Sequence, residues 1–284
     1  MPSLDTRIQA INSKALILVR KMQMESTPYT GSTRWPDLVV NKIDIFEPFR
    51  WLKIGWMDMR DAAKYSLRYG LGVAIISGLL TLGLFATDSF FLLPFLVSGF
   101  FLIAPFLGIG FYQISRYLEK REPLNACNPV DALKSNHAHI AMITGGLFMI
   151  LQLWIASNFV LFSLLYEGLS PPLDNFFNDV FMSEKGRLFM IASIVVGAFF
   201  AVCAFMISAI TVPMLIDRKI DGFTAIRFSI KSVLENIPAM MIWAFLIVLI
   251  VGLGLLTFYI GLIVALPLIG HGSWHAYRAL VPSN

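Results

Sequence analysis

The 284-residue chain is 57% hydrophobic and only 14% charged, with 24 Phe. That is too little polar surface for a water-soluble globule, so the composition points to a polytopic membrane protein. A net charge of +4 does not suggest nucleic acid as a partner, and two cysteines, Cys127 and Cys203, are too few for a disulfide framework.

Residues 1–45 carry a modest amphipathic pattern (Leu4, Ile8, Ile11, Ala15, Val19) and then a linker, STPYTGSTRWP. The first 68 residues hold eleven Lys/Arg and no long apolar run. No cleavable signal peptide is expected, and the first hydrophobic helix should direct insertion.

Crossing the hydrocarbon takes roughly 20 apolar residues. Tyr69–Phe85, Phe90–Tyr112, Ile140–Phe162 and Leu188–Ile216 supply four spans. The run Ile237–Ile269 is 33 residues without a charge; as one helix it would be about 50 Å long against a core of roughly 30 Å. It is expected to fold as a hairpin turning near Gly252, Gly254 and Gly261, with the last helix continuing to Trp274 and Tyr277 at the interface. Six spans then place twenty of the 22 Lys/Arg on one side, leaving Lys185 and Arg187 opposite. By the positive-inside rule both termini are expected in the cytoplasm, the protein sitting in the cytoplasmic (inner) membrane.

The chain also repeats itself. PFLGIGFYQISRYL (Pro105–Leu118) aligns without gaps on PLIGHGSWHAYRAL (Pro267–Leu280), matching Pro105 to Pro267, Gly108 and Gly110 to Gly270 and Gly272, and Arg116 to Arg278. Pro213 stands in a comparable place in the fourth span, although that match is weaker. An amphipathic stretch precedes each odd-numbered span: EPFRWLKIGWMDMRDA with Phe49, Leu52, Trp56 and Met59 on one stripe, PVDALKSN in truncated form, and GFTAIRFSIKSVLEN with Ile226, Ile230 and Val233. Such helices lie in the interface with Lys and Arg reaching for headgroups. The expected fold is all-α: a six-span bundle in three hairpin pseudo-repeats, each introduced by an interfacial helix. The N-terminal segment is 1–45 and the transmembrane domain 46–284, with units near 46–118, 119–217 and 218–281.

PFRWLKIGWMDMRDA, GFYQISRYLEKREP, VPMLIDRKIDGFTAIRFSIKSVLENIPAMMIWA and GHGSWHAYRALV together resemble a prokaryotic integral-membrane family, domain of unknown function 2189. The resemblance covers about residues 46–281. Its members are sometimes labelled cytochrome c oxidase subunits, which implies a redox association to test; the family brings no catalytic or binding residues to carry over.

All four histidines, His137, His139, His271 and His275, fall at cytoplasmic helix ends on this topology. Four imidazoles at one depth could hold a metal ion or haem. The repeat argues otherwise, because it aligns His271 with Ile109 and His275 with Gln113 while keeping the glycines, prolines and arginines. Those kept residues are packing hardware: glycines allow close backbone approach, and the prolines strip the carbonyls of Phe101, Ala209 and Ile263 of helical partners. No cofactor is therefore expected.

Proton coupling through buried carboxylates is disfavoured, since no Asp, Glu, Lys or Arg lies inside a span. Gln152 and Asn158 are read as interhelical hydrogen-bonding residues, and Ser193, Gly197 and Ala201 as a small-residue stripe for helix contact. The pair Asp217 and Arg218, with Asp221 close behind, reads as capping the interfacial helix before Phe223, and PPLDNFFNDVF as a surface helix on the outer leaflet. There is no HExxH, CxxC, GxSxG or phosphate loop. The expectation is a non-enzymatic scaffold or accessory protein that engages membrane lipids and either a membrane-protein partner or a second copy. The alternatives are a transporter or binder of lipid or a neutral solute, and a haem- or metal-binding subunit associated with a respiratory oxidase.

Overall fold

An apolar chain in lipid must satisfy its backbone internally, and helices do this segment by segment. A computed structural model describes residues 39–87, 89, 92–128, 136–166 and 182–282, and every regular element among them is helical. In chain order these are α1 (Glu47–Asp61), α2 (Ala63–Ala86), α3 (Leu93–Leu107), α4 (Ile109–Lys120), a 3-10 turn (Leu124–Ala126), α5 (His137–Tyr166), α6 (Glu184–Ser208), α7 (Thr211–Asp217), α8 (Gly222–Glu235), α9 (Ile237–Leu256) and α10 (Leu262–Leu280). The N-terminal amphipathic pattern and linker, most of PVDALKSN, and the PPLDNFFNDVF stretch lie outside the described residues.

Among the described residues, four helical runs are long and apolar enough to cross a membrane: α2, α5, the α6–α7 run Glu184–Asp217, and α9. Their apolar windows are mostly uncovered by protein, only 6% buried for α6–α7 and 28% for α9. Lipid is the solvent that suits such faces. The α3 and α4 segments are contiguous except at Gly108, just past the internal Pro105. The charge-free run 237–269 does not form a rod. It stops at Leu256 and restarts at Leu262, with Phe258 and Tyr259 at positive φ between them. Thr257 holds that turn, its hydroxyl donating to Gly254 O and accepting from Gly261 N, and the Tyr259 hydroxyl bonds Thr81 of α2.

The hub is α10. Of its 19 residues, 13 are buried, because α1, α2, α4, α7 and α9 all pack on it. Glycines make this possible. A Cβ at Gly55 of α1 would stand 2.7 Å from Gly272 N, and one at Gly270 would stand 2.5 Å from the Phe111 ring of α4. On the far side α5 packs against α3 and α6, where Gly197 lies against the Trp154 indole. The small-residue stripe of the fourth span thus contacts α5 at Gly197, while Ala201 stays exposed.

The two interfacial helices join their spans alike. A single non-helical residue separates α1 from α2 (Ala62, φ −111°, ψ 29°) and α8 from α9 (Asn236, φ −131°, ψ 36°). Each inward face keeps one residue of the apolar stripe expected, Met59 in α1 and Val233 in α8, and otherwise differs from it. In α1 the buried residues are Pro48, Trp51, Gly55 and Met59, while Phe49 and Trp56 stay exposed. In α8 they include Ala225, Ser229 and Ser232, with Ile226 and Ile230 half-buried. Close approach to a neighbouring helix selects small residues and one flat Trp, leaving bulkier apolar groups to lie outside.

Ahead of α1 the backbone is tied to the hub: Asn41 N donates to Leu280 O, Asn41 Nδ2 to Ala279 O, and Ile43 N to the Asn236 side chain.

Candidate functional site

A polar residue inside an apolar helix crossing must find partners or cost free energy. His271 is fully buried in the middle of α10. Its Nε2 lies 2.9 Å from Ser66 Oγ of α2, and its Nδ1 2.8 Å from Ser115 Oγ of α4. Ser115 donates to Asp58 Oδ2 of α1 at 2.5 Å, and His275 Nε2, one turn beyond His271, meets the same oxygen at 2.8 Å. Direction follows from the inventory. Ser115 gives its only proton to Asp58, so it accepts from His271 Nδ1–H, and Nε2 then accepts from Ser66. The chain Ser66 to His271 to Ser115 to Asp58 donates one way, and His275 donates to its end. The Phe111 ring packs edge-on against the imidazole at 5.5 Å. Four helices are joined through one histidine.

The second constellation lies one turn further along α10. Arg116 Nε and Arg278 Nη1, the two residues equated by the sequence repeat, approach opposite oxygens of Asp217 at 3.4 and 3.5 Å. Arg278 Nη2 also pairs with Glu119 Oε1 at 2.6 Å, and Trp274 Nε1 donates to Glu119 Oε2 at 3.1 Å. The Tyr277 hydroxyl donates to Asp217 Oδ2 at 2.7 Å and accepts from Arg218 Nε at 2.9 Å. Ends of α4, α7 and α10 meet here, with Arg218 also reaching Pro282 O. Partial burial strengthens such pairs relative to open surface, and a shared network couples them.

Several sequence expectations change. Trp274 and Tyr277, expected at the lipid interface, are 1% and 0% exposed, Trp274 bonded to Glu119 of α4 and Tyr277 to Asp217 of α7. Asp217 does not cap α8; Asp221 does, accepting from Thr224 N at 2.9 Å. Hydrogen bonding from the Thr224 side chain, helped by its backbone N–H, holds the Asp221 carboxyl below its ordinary range. Asn158 bonds its own helix at Trp154 O and Gln152 is exposed. A single apolar helix face offers Asn158 a carbonyl one turn back, which is nearer than any neighbouring helix.

The histidines divide. His271 and His275 come together on Asp58, whereas His139 lies against Gly222 of α8, its Cβ 3.3 Å from where a glycine Cβ would be, and His137 is exposed at the start of α5. Among the described residues no group of three or more His, Cys, Asp and Glu is placed to hold a metal ion. Both nitrogens of His271 are already engaged. Of the repeated residues, a Cβ at Gly110 would stand 3.4 Å from the Tyr69 ring and one at Gly272 would stand 2.8 Å from the Trp243 ring, while Pro213 and Pro267 are buried. The backbone next to Pro213 is served by α8: Ile210 N donates to Ser229 Oγ at 3.2 Å, and Thr211 Oγ1 reaches Ala225 O.

Asp58, Ser66 and Ser115 were not legible as site residues. A weak signal existed, since Ser66 and Gly70 are small residues four apart at the start of a span.

No curated protein and no solved structure matches the chain. Residues 92–217 match the family model described as "Predicted integral membrane protein (DUF2189)", a narrower stretch than the motifs occupy, and over these residues the chain is similar to that integral-membrane family.

Proposed function

We propose that this protein is a non-enzymatic scaffold or accessory component of the cytoplasmic membrane. It crosses six times, in three hairpin units, with both termini in the cytoplasm. In this reading α3–α4 and α10 are the second and sixth spans. The supporting pattern is cyclic: α1 packs on α10, the last span of the third unit, and α8 packs on α6–α7, the last span of the second. Each of the two described interfacial helices is thus handed to the unit before it, and the even-numbered spans meet at Asp217.

The observation that carries the scaffold reading is how the polar groups are used. His271, Ser66, Ser115 and Asp58 bond one another across four helices, and Asp217, Glu119 and their arginines do so across three. These groups hold helices together. A haem or metal role would require His271 to give up Ser66 or Ser115 first.

A second reading, passage of lipid or a neutral solute, is favoured by one feature: the second and fourth spans are broken at Gly108 and at Ala209–Ile210, as discontinuous helices are in transporters.

The test is isolation in native-lipid discs, with mass spectrometry and an optical spectrum. A partner or second copy at fixed stoichiometry is the expected result. Monomer alone with a Soret band, or monomer alone with solute uptake in vesicles, overturns the scaffold role.

A further inference from the structure

Resting on the membrane reading above, we propose that the outward strip of α1 and the first turns of α2 form a recognition surface for anionic phospholipid headgroups.

The strip arises because α1 has two working faces. Pro48, Trp51, Gly55 and Met59 turn toward the hub. On the opposite side Phe49 and Trp56 remain 51% and 45% exposed, and Lys53 and Arg60, each four residues on from one of these aromatics, are exposed beside them. Residues four apart share a helix face, so each aromatic ring has a cation one turn along. Lys64 and Arg68 continue the pattern in α2. They flank buried Ser66 at two residues' distance on either side and so point away from the protein, and both are exposed.

The charge on this strip is uncompensated by design of the interior. Among the carboxylates of α1, Asp58 faces inward to Ser115 and His275, and Glu47 pairs with Arg50. Asp61 remains exposed, against four cations. Aromatic rings seat a helix at headgroup depth, and Lys and Arg stems reach past the hydrocarbon toward phosphate. An anionic leaflet is the chemistry that complements this pattern, and attraction there is set by each added basic residue and screened by salt.

The experiment uses the full chain reconstituted in vesicles of phosphatidylcholine with a fixed fraction of phosphatidylglycerol, where one lipid or the other carries brominated acyl chains that quench tryptophan. The Trp56 signal is taken as the difference between wild type and Trp56→Phe. Quenching of Trp56 by brominated phosphatidylglycerol in several-fold excess over its mole fraction is expected. The excess is lost in the Lys53→Gln/Arg60→Gln/Lys64→Gln/Arg68→Gln variant and in high salt, but kept in the control Lys120→Gln/Arg121→Gln. Equal quenching by both lipids in wild type overturns the headgroup preference while leaving membrane insertion intact. No quenching by either lipid overturns the interfacial placement of α1 and the membrane reading beneath it. If the fourfold variant does not reconstitute, the wild-type salt dependence decides: a preference unchanged by salt also overturns the proposal.

Discussion

Gly70 of α2 presses on the carbonyl of Ile263 in α10, so closely that a Cβ at position 70 would stand 2.7 Å from that oxygen and 3.1 Å from the Ile263 Cα. This is the carbonyl deprived of its helical donor by Pro267. Proline opens the site and glycine fills it. Gly70→Ala should cost about 1–3 kcal/mol, the usual range for overpacking. Gly72→Ala, where nothing lies within 4 Å, should be neutral or stabilising by up to about 1 kcal/mol through helix propensity. Thermal unfolding of both variants in the same detergent checks the contrast; equal shifts would remove the close-contact argument.

His271→Ala leaves the Ser66 hydroxyl without its acceptor in a buried crossing, while Ser115 keeps Asp58, and an unsatisfied buried group costs about 1–3 kcal/mol. His275→Ala removes one donor from Asp58, which keeps Ser115, so its effect should be smaller. Melting temperatures that rank the two variants the other way would show that the latch on α1, rather than the four-helix crossing, carries the stability.

The Asp217 network predicts coupling. Arg116→Gln and Arg278→Gln should each destabilise, but the double variant should cost less than their sum, because both residues address one carboxylate. A double-mutant cycle measured by chemical unfolding in detergent reads this directly. Strict additivity would mean that the two arginines act independently.

Asp221 makes a pH prediction. Its folded carboxyl sits below the ordinary value owing to the Thr224 bonds, so the stability it adds is fully present above the unfolded carboxylate pKa and fades as pH falls through the lower, folded one. Asp221→Ala should cost about 1 kcal/mol near neutral pH. The gap to wild type should close in acid, as followed by unfolding at a series of pH values.

Cys127 sits half-buried in the segment after α4, and burial pushes its thiol up from its ordinary 9.0. In a chain whose only cysteine is Cys127, labelling by an impermeant maleimide should come from the cytoplasmic side and keep accelerating beyond pH 9. Labelling from the opposite side would invert the six-span topology.

Much of this molecule follows from periodicity and solvent. Long charge-free stretches must be helical in lipid, because no other structure satisfies their backbone alone. The length of run 237–269 required a turn, since no helix that long fits the bilayer. Glycines shared by two aligned segments marked close packing, because only a missing side chain allows it. Which face of α1 turns inward was not in the pattern: both candidate stripes are apolar, and the choice rests on Gly55 meeting Gly272 across the chain. Asp58, Ser66 and Ser115 looked like ordinary polar residues near span ends. They became a site only when four helices, separated by as many as 205 positions between Ser66 and His271, were brought to one imidazole. Sequence alone determined the helices and the solvent around them, through local composition; the partners of each buried polar group were decided by tertiary structure, because a hydrogen bond depends on where distant helices cross.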